Sequence, residues 1–438
     1  MLEQQVGFGW VSFFRGIIGI FVILCIGYAL STNRKRIDWK LIGSGLFLQI
    51  VFALAVLYVP FVGFILEKIG KGFVKLVDFT NEGVTFLLGP YASQSAGFVF
   101  LIHALPIVIF FSALVSIFYH WGIIQRVVAA FSWCVRKFMK ISGAEGLVSA
   151  GNIFMGMTES PILIKKYLPN MNRSEIFLVM ISGMGTIAGS VMGAYISILG
   201  GTDPAQKVMF ATHLLSASVM AVPGSIVIAK MICPQTEPTT DQILSSKLEK
   251  EEDNVLTALA TGTSTGIRLM VNIAAMLLVF ISLIALVNYI TEDIIGKYTG
   301  INDWIYSFSD GRAKGLTIQF ILGLITAPFV WLIGIPSQDI IVVGSLLGQK
   351  TILNEFVAYG QLEIWKDAGL FMYEKSVIMS TYILCGFANI SSIGILMGGL
   401  GVLAPEKRTL ISQLSVRSMI GGGLVSILSA TIIGMILG

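Results

Sequence analysis

The stretch Gly151-Asn152-Ile153-Phe154-Met155-Gly156-Met157-Thr158-Glu159-Ser160-Pro161 sets a carboxylate in apolar, glycine-broken sequence. Asn354-Glu355-Phe356-Val357-Ala358-Tyr359 does so a second time. The chain around them reads as membrane. It has 438 residues, of which 55 % are hydrophobic and 12 % charged, and its mean hydropathy is +0.84. Soluble domains carry about 25 % charged residues. One polytopic membrane bundle is therefore expected instead of several soluble domains. A carboxylate at membrane depth costs about 2.5–3.5 kcal/mol even on the most lenient insertion scale. It persists where it faces water, a partner or a substrate, so two of them point to a path through the bilayer.

Composition also excludes functions. The formal net charge of +4 is small and dispersed, whereas nucleic-acid binding needs a clustered basic patch. Cys25, Cys134, Cys233 and Cys385 lie far apart with no CxxC spacing, and His103, His120 and His213 have no metal-ligand spacing. No Ser/His/Asp or Cys/His arrangement stands out, so neither an enzyme nor a cofactor is expected. The first apolar run, about 11–30, has no small-residue cleavage site after it and is read as a span, not a signal peptide. Gly344-Ser345-Leu346-Leu347-Gly348-Gln349-Lys350-Thr351 resembles a phosphate loop but has the wrong glycine spacing.

A spanning helix needs about 20 apolar residues. Eight runs satisfy this, near 11–31, 41–65, 96–119, 175–200, 207–232, 268–291, 376–402 and 410–437. The stretches 121–137, 140–168 and 314–363 are apolar but interrupted, and read as interfacial helices and re-entrant hairpins. Arg34, Lys35, Arg36, Lys40, Arg136, Lys137, Lys140, Lys165, Lys166, Arg173, Lys407, Arg408 and Arg417 all fall on one side if the first loop is cytoplasmic. That orientation puts both termini outside a cell (inner) membrane. The segment Lys247–Asp253 reads as a solvated helix face.

The order hairpin, span, span occurs twice. Trp133 precedes Ser142-Gly143-Ala144-Glu145 and the Glu159 stretch; Trp331 precedes Pro336-Ser337-Gln338-Asp339 and the Glu355 stretch. A single span between the units would invert one against the other, the pattern of transporters that bind at the midplane. The expected division is N-terminal spans and scaffold at 1–95, a first repeat at 96–235 with its hairpin near 140–168, a cytoplasmic loop at 236–266, and a second repeat at 267–438 with its hairpin near 338–363. The fold class is thus an all-α polytopic membrane protein of eight transmembrane helices, interfacial helices and two re-entrant helical hairpins in an inverted repeat.

Two further stretches carry polar groups at depth. Met180–Ser190 holds three glycines and three hydroxyl residues. It reads either as close packing through small residues or as a local unwinding whose freed carbonyls suit Na⁺. In Cys385–Gly394, Asn389 and Ser392 are spaced to share a helix face, for a ligand or for an interhelical hydrogen bond. Glu159 could instead be a structural acid held by backbone N–H groups, and Glu355 a loop acid paired with Lys350.

These residues resemble a known family. Gly156-Met157-Thr158-Glu159-Ser160-Pro161 is similar to the first-hairpin signature of the concentrative nucleoside transporters. Asn354-Glu355-Phe356-Val357-Ala358 resembles their second-hairpin signature, and Gly386-Phe387-Ala388-Asn389-Ile390-Ser391-Ser392-Ile393-Gly394 their G-F-A-N-x-S-S-x-G motif. The resemblance covers nearly the whole chain. It implies a homotrimer in the lipid bilayer whose protomers each carry a nucleoside by an elevator movement, coupled to a sodium ion. Carried over, Met157, Thr158 and Glu159 face the base; Glu355, Asn389 and Ser392 bond the ribose, with Phe387 lining the pocket. The Na⁺ ligands map to Asn152, the Met155 carbonyl, Thr186 through hydroxyl or carbonyl, and the Ile187 carbonyl. Proton coupling, or another neutral polyhydroxylated solute, is the alternative. A carrier of acidic solutes would place Arg or Lys in the hairpins, and a channel would show a continuous polar-lined helix; neither is present.

Met157 stands where the family has Gln. An amide both donates to and accepts from a base edge; a thioether hardly does either. Met157→Gln is therefore expected to favour uridine over adenosine and inosine by about two- to tenfold, one net hydrogen bond. Competition uptake checks this. Equal losses for all three substrates with a lower melting temperature would mean that Met157 serves packing.

Overall fold

The computed structural model describes residues 9–92, 99–239, 254–309 and 311–438. Among them the chain is helical, without a strand. Helices α1 (Trp10–Ala29) and α2 (Trp39–Tyr58) come first. Pro60 ends the expected 41–65 span early. It holds Val59 extended and starts the amphipathic α3 (Pro60–Leu88). Next come α4 (Phe100–His103), α5 (Leu105–His120) and α6 (Ile123–Met139).

The first hairpin follows. It has α7 (Gly143–Gly151), a non-helical tip and a 3₁₀ turn at Ser160–Ile164 that packs back on α7. Then come α8 (Arg173–Met184), α9 (Gly189–Gly200) and α10 (Pro204–Ile232). Helix α11 (Val255–Asn288) passes through a π-helical stretch, Tyr289–Gly296, into α12 (Lys297–Thr299) and α13 (Ile301–Phe308). After α14 (Ile318–Leu332), α15 (Ile340–Ile352) and α16 (Glu355–Asp367) form the second hairpin. The chain ends with α17 (Glu374–Leu384), α18 (Ile390–Leu403) and α19 (Arg408–Leu437). The order helix, hairpin, broken helix, long helix thus occurs in α6–α10 and again in α14–α19.

The structure differs from the sequence expectation in three places. Seven helical stretches, not eight, are long and apolar enough to span among the described residues. The expected span 376–402 is two shorter helices, α17 and α18, parted at Cys385–Asn389. Gly386 sits there at φ +150° with its backbone against Met184 and Gly185, so no continuous helix fits. The expected loop 236–266 stops at Asn254, whose side chain accepts from Thr257 N at 2.9 Å and caps α11. The segment Lys247–Asp253 lies outside the described residues.

Helices α10 and α19 form the buried centre, flanked by α1, α2, α8 and α17. Helices α5 and α11 make a separate pair. Gly262 and Gly266 of α11 bring its backbone against Ile109, Ser112 and Ala113 of α5. This pair meets the rest mainly where Ile107 and Phe111 of α5 fill the notch left by Gly193 of α9.

One buried ion pair anchors the first hairpin. Ser142 and Glu145 form a capping box at the start of α7, with Ser142 N donating to Glu145 Oε2 at 3.0 Å. Lys230 Nζ, near the end of α10, pairs with Glu145 Oε1 and donates to Ser174 Oγ at 3.0 Å and Gln235 Oε1 at 2.9 Å. Lys230→Ala would leave a buried anion unpaired, an expected loss of about 3–5 kcal/mol. Thermal unfolding in detergent checks this, and Lys230→Met with Glu145→Gln should recover most of the loss.

Candidate functional site

Two helix breaks create the site. The α8–α9 helix is interrupted at Gly185–Ala188, so the unwinding read from Met180–Ser190 is present. The α17–α18 helix is interrupted at Cys385–Asn389. Each break strands backbone groups that water cannot reach. The breaks satisfy each other in part: Phe387 N donates to the Thr186 carbonyl at 3.2 Å.

The first hairpin tip seats on the first break. Gly189 N donates to the Phe154 carbonyl at 3.0 Å, and a Cβ at Gly189 would lie 2.7 Å from that oxygen. Met157 is buried with its Cβ against Gly183 of α8, where a Cβ would come within 2.6 Å. Its backbone therefore depends on a glycine, and any replacement side chain at Met157 starts from this seam. Thr158, part-buried, touches Gly399 of α18 and so joins the first tip to the second broken helix. Glu159, also part-buried, accepts from Gly156 N at 3.1 Å and closes the tip turn on itself.

Asn152 is fully buried beneath this tip. Its amide donates to Ser182 Oγ at 3.0 Å and to the Val148 carbonyl at 3.1 Å, while its Oδ1 accepts from Ser160 Oγ at 2.8 Å. Oδ1 keeps a second lone pair. Thr186 Oγ1 donates to the Ser182 carbonyl at 2.8 Å and keeps its own lone pairs. Because the Thr186 carbonyl already accepts from Phe387, its hydroxyl is the freer oxygen. Among the described residues no hydrogen bond reaches the carbonyls of Met155 or Ile187. These four are neutral oxygens and suit a hard monovalent cation. Among the described residues no His/Cys/Asp/Glu cluster of the divalent-metal kind occurs.

The second half-site centres on Glu355, 3 % exposed at the start of α16. Its Oε1 accepts from Tyr195 Oη at 2.9 Å and its Oε2 from Asn389 Nδ2 at 2.9 Å. Both oxygens are acceptors here, and each retains a lone pair for a hydroxyl donor. The reading of Glu355 as a loop acid paired with Lys350 does not hold: Lys350 Nζ donates to the Ile383 carbonyl at 2.7 Å and to Ser426 Oγ at 3.1 Å. Asn389 and Ser392 do not sit on one face of a continuous helix. Asn389 is the N-cap of α18, and its Oδ1 accepts from Ser392 N at 2.9 Å and Ser391 Oγ at 2.7 Å. Its remaining amide hydrogen is what it can offer a ligand.

Comparison with known proteins supplies the family. A family model described as Na⁺ dependent nucleoside transporter C-terminus matches residues 213–434, and its N-terminus counterpart matches 18–91. A nucleoside recognition gate model matches 101–202. The chain belongs to the concentrative nucleoside transporter family. Members of this family are transporters, not enzymes. The nucleoside permease NupC of Helicobacter pylori is 35 % identical, over 96 % of this chain and 97 % of its own. An uncharacterised transporter of Haemophilus influenzae is 37 % identical, over 98 % and 99 %. Sodium/nucleoside cotransporter 2 of the rat is 36 % identical over 95 % of this chain but only 62 % of its own length. A structure of CNTnw in an inward-facing substrate-bound state superposes with a TM-score of 0.86 at 32 % identity, covering 97 % of each chain. An outward-facing form of CNTnw carrying two substitutions gives the same 0.86.

Sequence reasoning missed Tyr195. It is fully buried on α9, its ring 4.7 Å from those of Phe356 and Tyr359, and nothing in the motifs points to it. Tyr195→Phe keeps the packing and removes a donor from Glu355. Nucleoside affinity should fall about tenfold, the worth of one hydrogen bond to a charged group. Binding to purified protein checks this, with an unchanged melting temperature as the control.

Proposed function

We propose that this nucleoside transporter is a symporter that carries nucleosides into the cell, driven by Na⁺. The observation that carries this reading is the shared first-hairpin tip. Asn152 and the orphaned carbonyl of Met155 lie on the same short turn as Met157, Thr158 and Glu159. A cation held between Asn152, Met155, Thr186 and Ile187 would fix that turn and raise affinity for a base bound two to four residues further on. The nucleoside would in turn favour the ion, as linkage requires.

In this reading Met157, Thr158 and Glu159 meet the base, Glu355, Asn389 and Ser392 hold the sugar hydroxyls, and Phe387 lines the space between. Every polar group offered is neutral or acidic, which suits a neutral polyhydroxylated solute. The oxygen set at the first break favours Na⁺ over a proton, since no titratable side chain lies among those four residues.

The exposed apolar face of α11, including Leu278, Val279 and Ile281, supports contact with lipid and with neighbouring subunits of a homotrimer. The apolar packing of α5 on α9, which bears Tyr195, supports movement of the site-bearing body along this seam. We place the protein in the plasma membrane with both termini outside, the broken pair α17–α18 crossing together as an eighth span beside the seven long ones. The 1–95, 96–235 and 267–438 division is kept as a scaffold followed by two inverted repeats, with the first cytoplasmic segment after α10 ending at Asn254.

Uptake of radiolabelled nucleosides into proteoliposomes under separate Na⁺ and pH gradients tests the coupling. Accumulation should follow Na⁺. Asn152→Ala should raise the Na⁺ concentration for half-maximal uptake and lower nucleoside affinity at fixed Na⁺. Accumulation that follows the pH gradient and ignores Na⁺ would overturn the sodium assignment.

A further inference from the structure

Lys350 is 1 % exposed in the middle of the protein, and among the described residues no carboxylate lies within ion-pair distance of it. Its surroundings explain how an ammonium survives there. In an unbroken α-helix the Ile383 carbonyl would accept from Phe387 N. The break diverts Phe387 N to the Thr186 carbonyl, and Lys350 Nζ takes the vacated Ile383 carbonyl at 2.7 Å. The Cys385 carbonyl would have accepted from Asn389 N, which instead bonds the Phe387 carbonyl at 2.9 Å. Ser426 of α19 fills that gap, donating to the Cys385 carbonyl at 2.7 Å while accepting from Lys350 at 3.1 Å. The last carbonyls of α17 are also the negative end of its dipole, where a cation is stabilised.

The first repeat unit has the corresponding arrangement with a different occupant. Asn152, at the tip end of α7, reaches Ser182 in the last turn of α8, as Lys350, near the tip end of α15, reaches Ile383 in the last turn of α17. Asn152 brings no charge. Around the first break the carbonyls of Gly183, Met184, Gly185 and Ile187 have no protein donor among the described residues, and no side-chain cation reaches them; the second break has an ammonium delivered to it.

We propose that Lys350 is a tethered cation: it completes the second helix break and positions the sugar-binding half of the site, the part an added ion plays at the first break. Lys350 is a positioning residue and does not touch the nucleoside. It fixes Cys385–Asn389, and through that segment the Asn389 amide on Glu355. This rests on the reading of Glu355, Asn389 and Phe387 as sugar-facing.

The test compares Lys350→Ala, Lys350→Met and Lys350→Arg as full-length purified proteins. The measurement is binding of a nucleoside and of its 3′-deoxy analogue. Lys350→Ala should weaken nucleoside binding by about tenfold or more, the loss of a charge-assisted contact. The 3′-deoxy analogue should lose much less, so discrimination between the two narrows. Methylammonium, small enough to enter the vacated space, should restore part of the affinity, whereas choline should not. Lys350→Arg should keep part of the discrimination. If Lys350→Ala does not fold, Lys350→Met retains the bulk and should show the same narrowing. Unchanged affinity, or a narrowing absent from folded Lys350→Met, would overturn the proposal. So would equal losses for both ligands with no response to methylammonium. A wild type that does not distinguish the two ligands would instead remove the sugar assignment of Glu355 and Asn389. Amine rescue of affinity would still decide on Lys350.

Discussion

Two interrupted helices facing each other inside the protein are the constraint on which the rest depends. An interrupted helix exposes donors and acceptors, each costly to bury alone. Here the cost is met locally. Phe387 N bonds the Thr186 carbonyl, Thr186 Oγ1 covers Ser182, Ser426 covers Cys385, and Asn389 caps α18. Left over among the described residues are the Met155 carbonyl in the hairpin tip, the Gly183, Met184, Gly185 and Ile187 carbonyls around the first break, and one hydrogen of Asn389. Binding capacity is what remains after the backbone has been satisfied.

The hairpins make this arrangement definite. Each reaches from its own anchored base to a break: Glu145 is tied to Lys230 at the base of the first, and Asp339 accepts from Met372 N and Tyr373 N at 3.0 and 3.2 Å at the base of the second. A buried pair such as Glu145–Lys230 adds little over an apolar equivalent, yet losing one partner is severe. Its effect here is on register. A hairpin displaced along its axis would part Asn152 from Ser182 and the Phe154 carbonyl from Gly189 N together.

Much of the architecture was legible in the sequence because hydrophobic length and glycine placement carry it. The Glu159 and Glu355 hairpins, the unwound 185–188 segment and the repeated order of elements all follow from where polar groups and glycines interrupt apolar runs. The misread parts have local causes. Cys385–Asn389 has only one glycine, and its hydrophobic composition hides the break that Asn389 caps. Pro60 closes a run that hydropathy alone extends to 65. Helix α11 begins earlier than expected because Thr- and Gly-rich sequence after Asn254 is helical once packed on α5. Tyr195 and Lys350 were out of reach for another reason. Their partners, Glu355 and Ile383, are 160 and 33 residues away, and no spacing rule connects them.

The notch at Gly193 has a mechanical meaning. Ile107 and Phe111 lie in a recess that any larger side chain would fill, along a seam formed chiefly by apolar contact. Dispersion forces are individually weak and short-ranged. They hold two surfaces together by area, without the directional demands of a hydrogen-bonded seam. A ridge resting in such a recess behaves as a detent. Its depth is set by the Cγ2 methyl of Ile107 and the ring edge of Phe111.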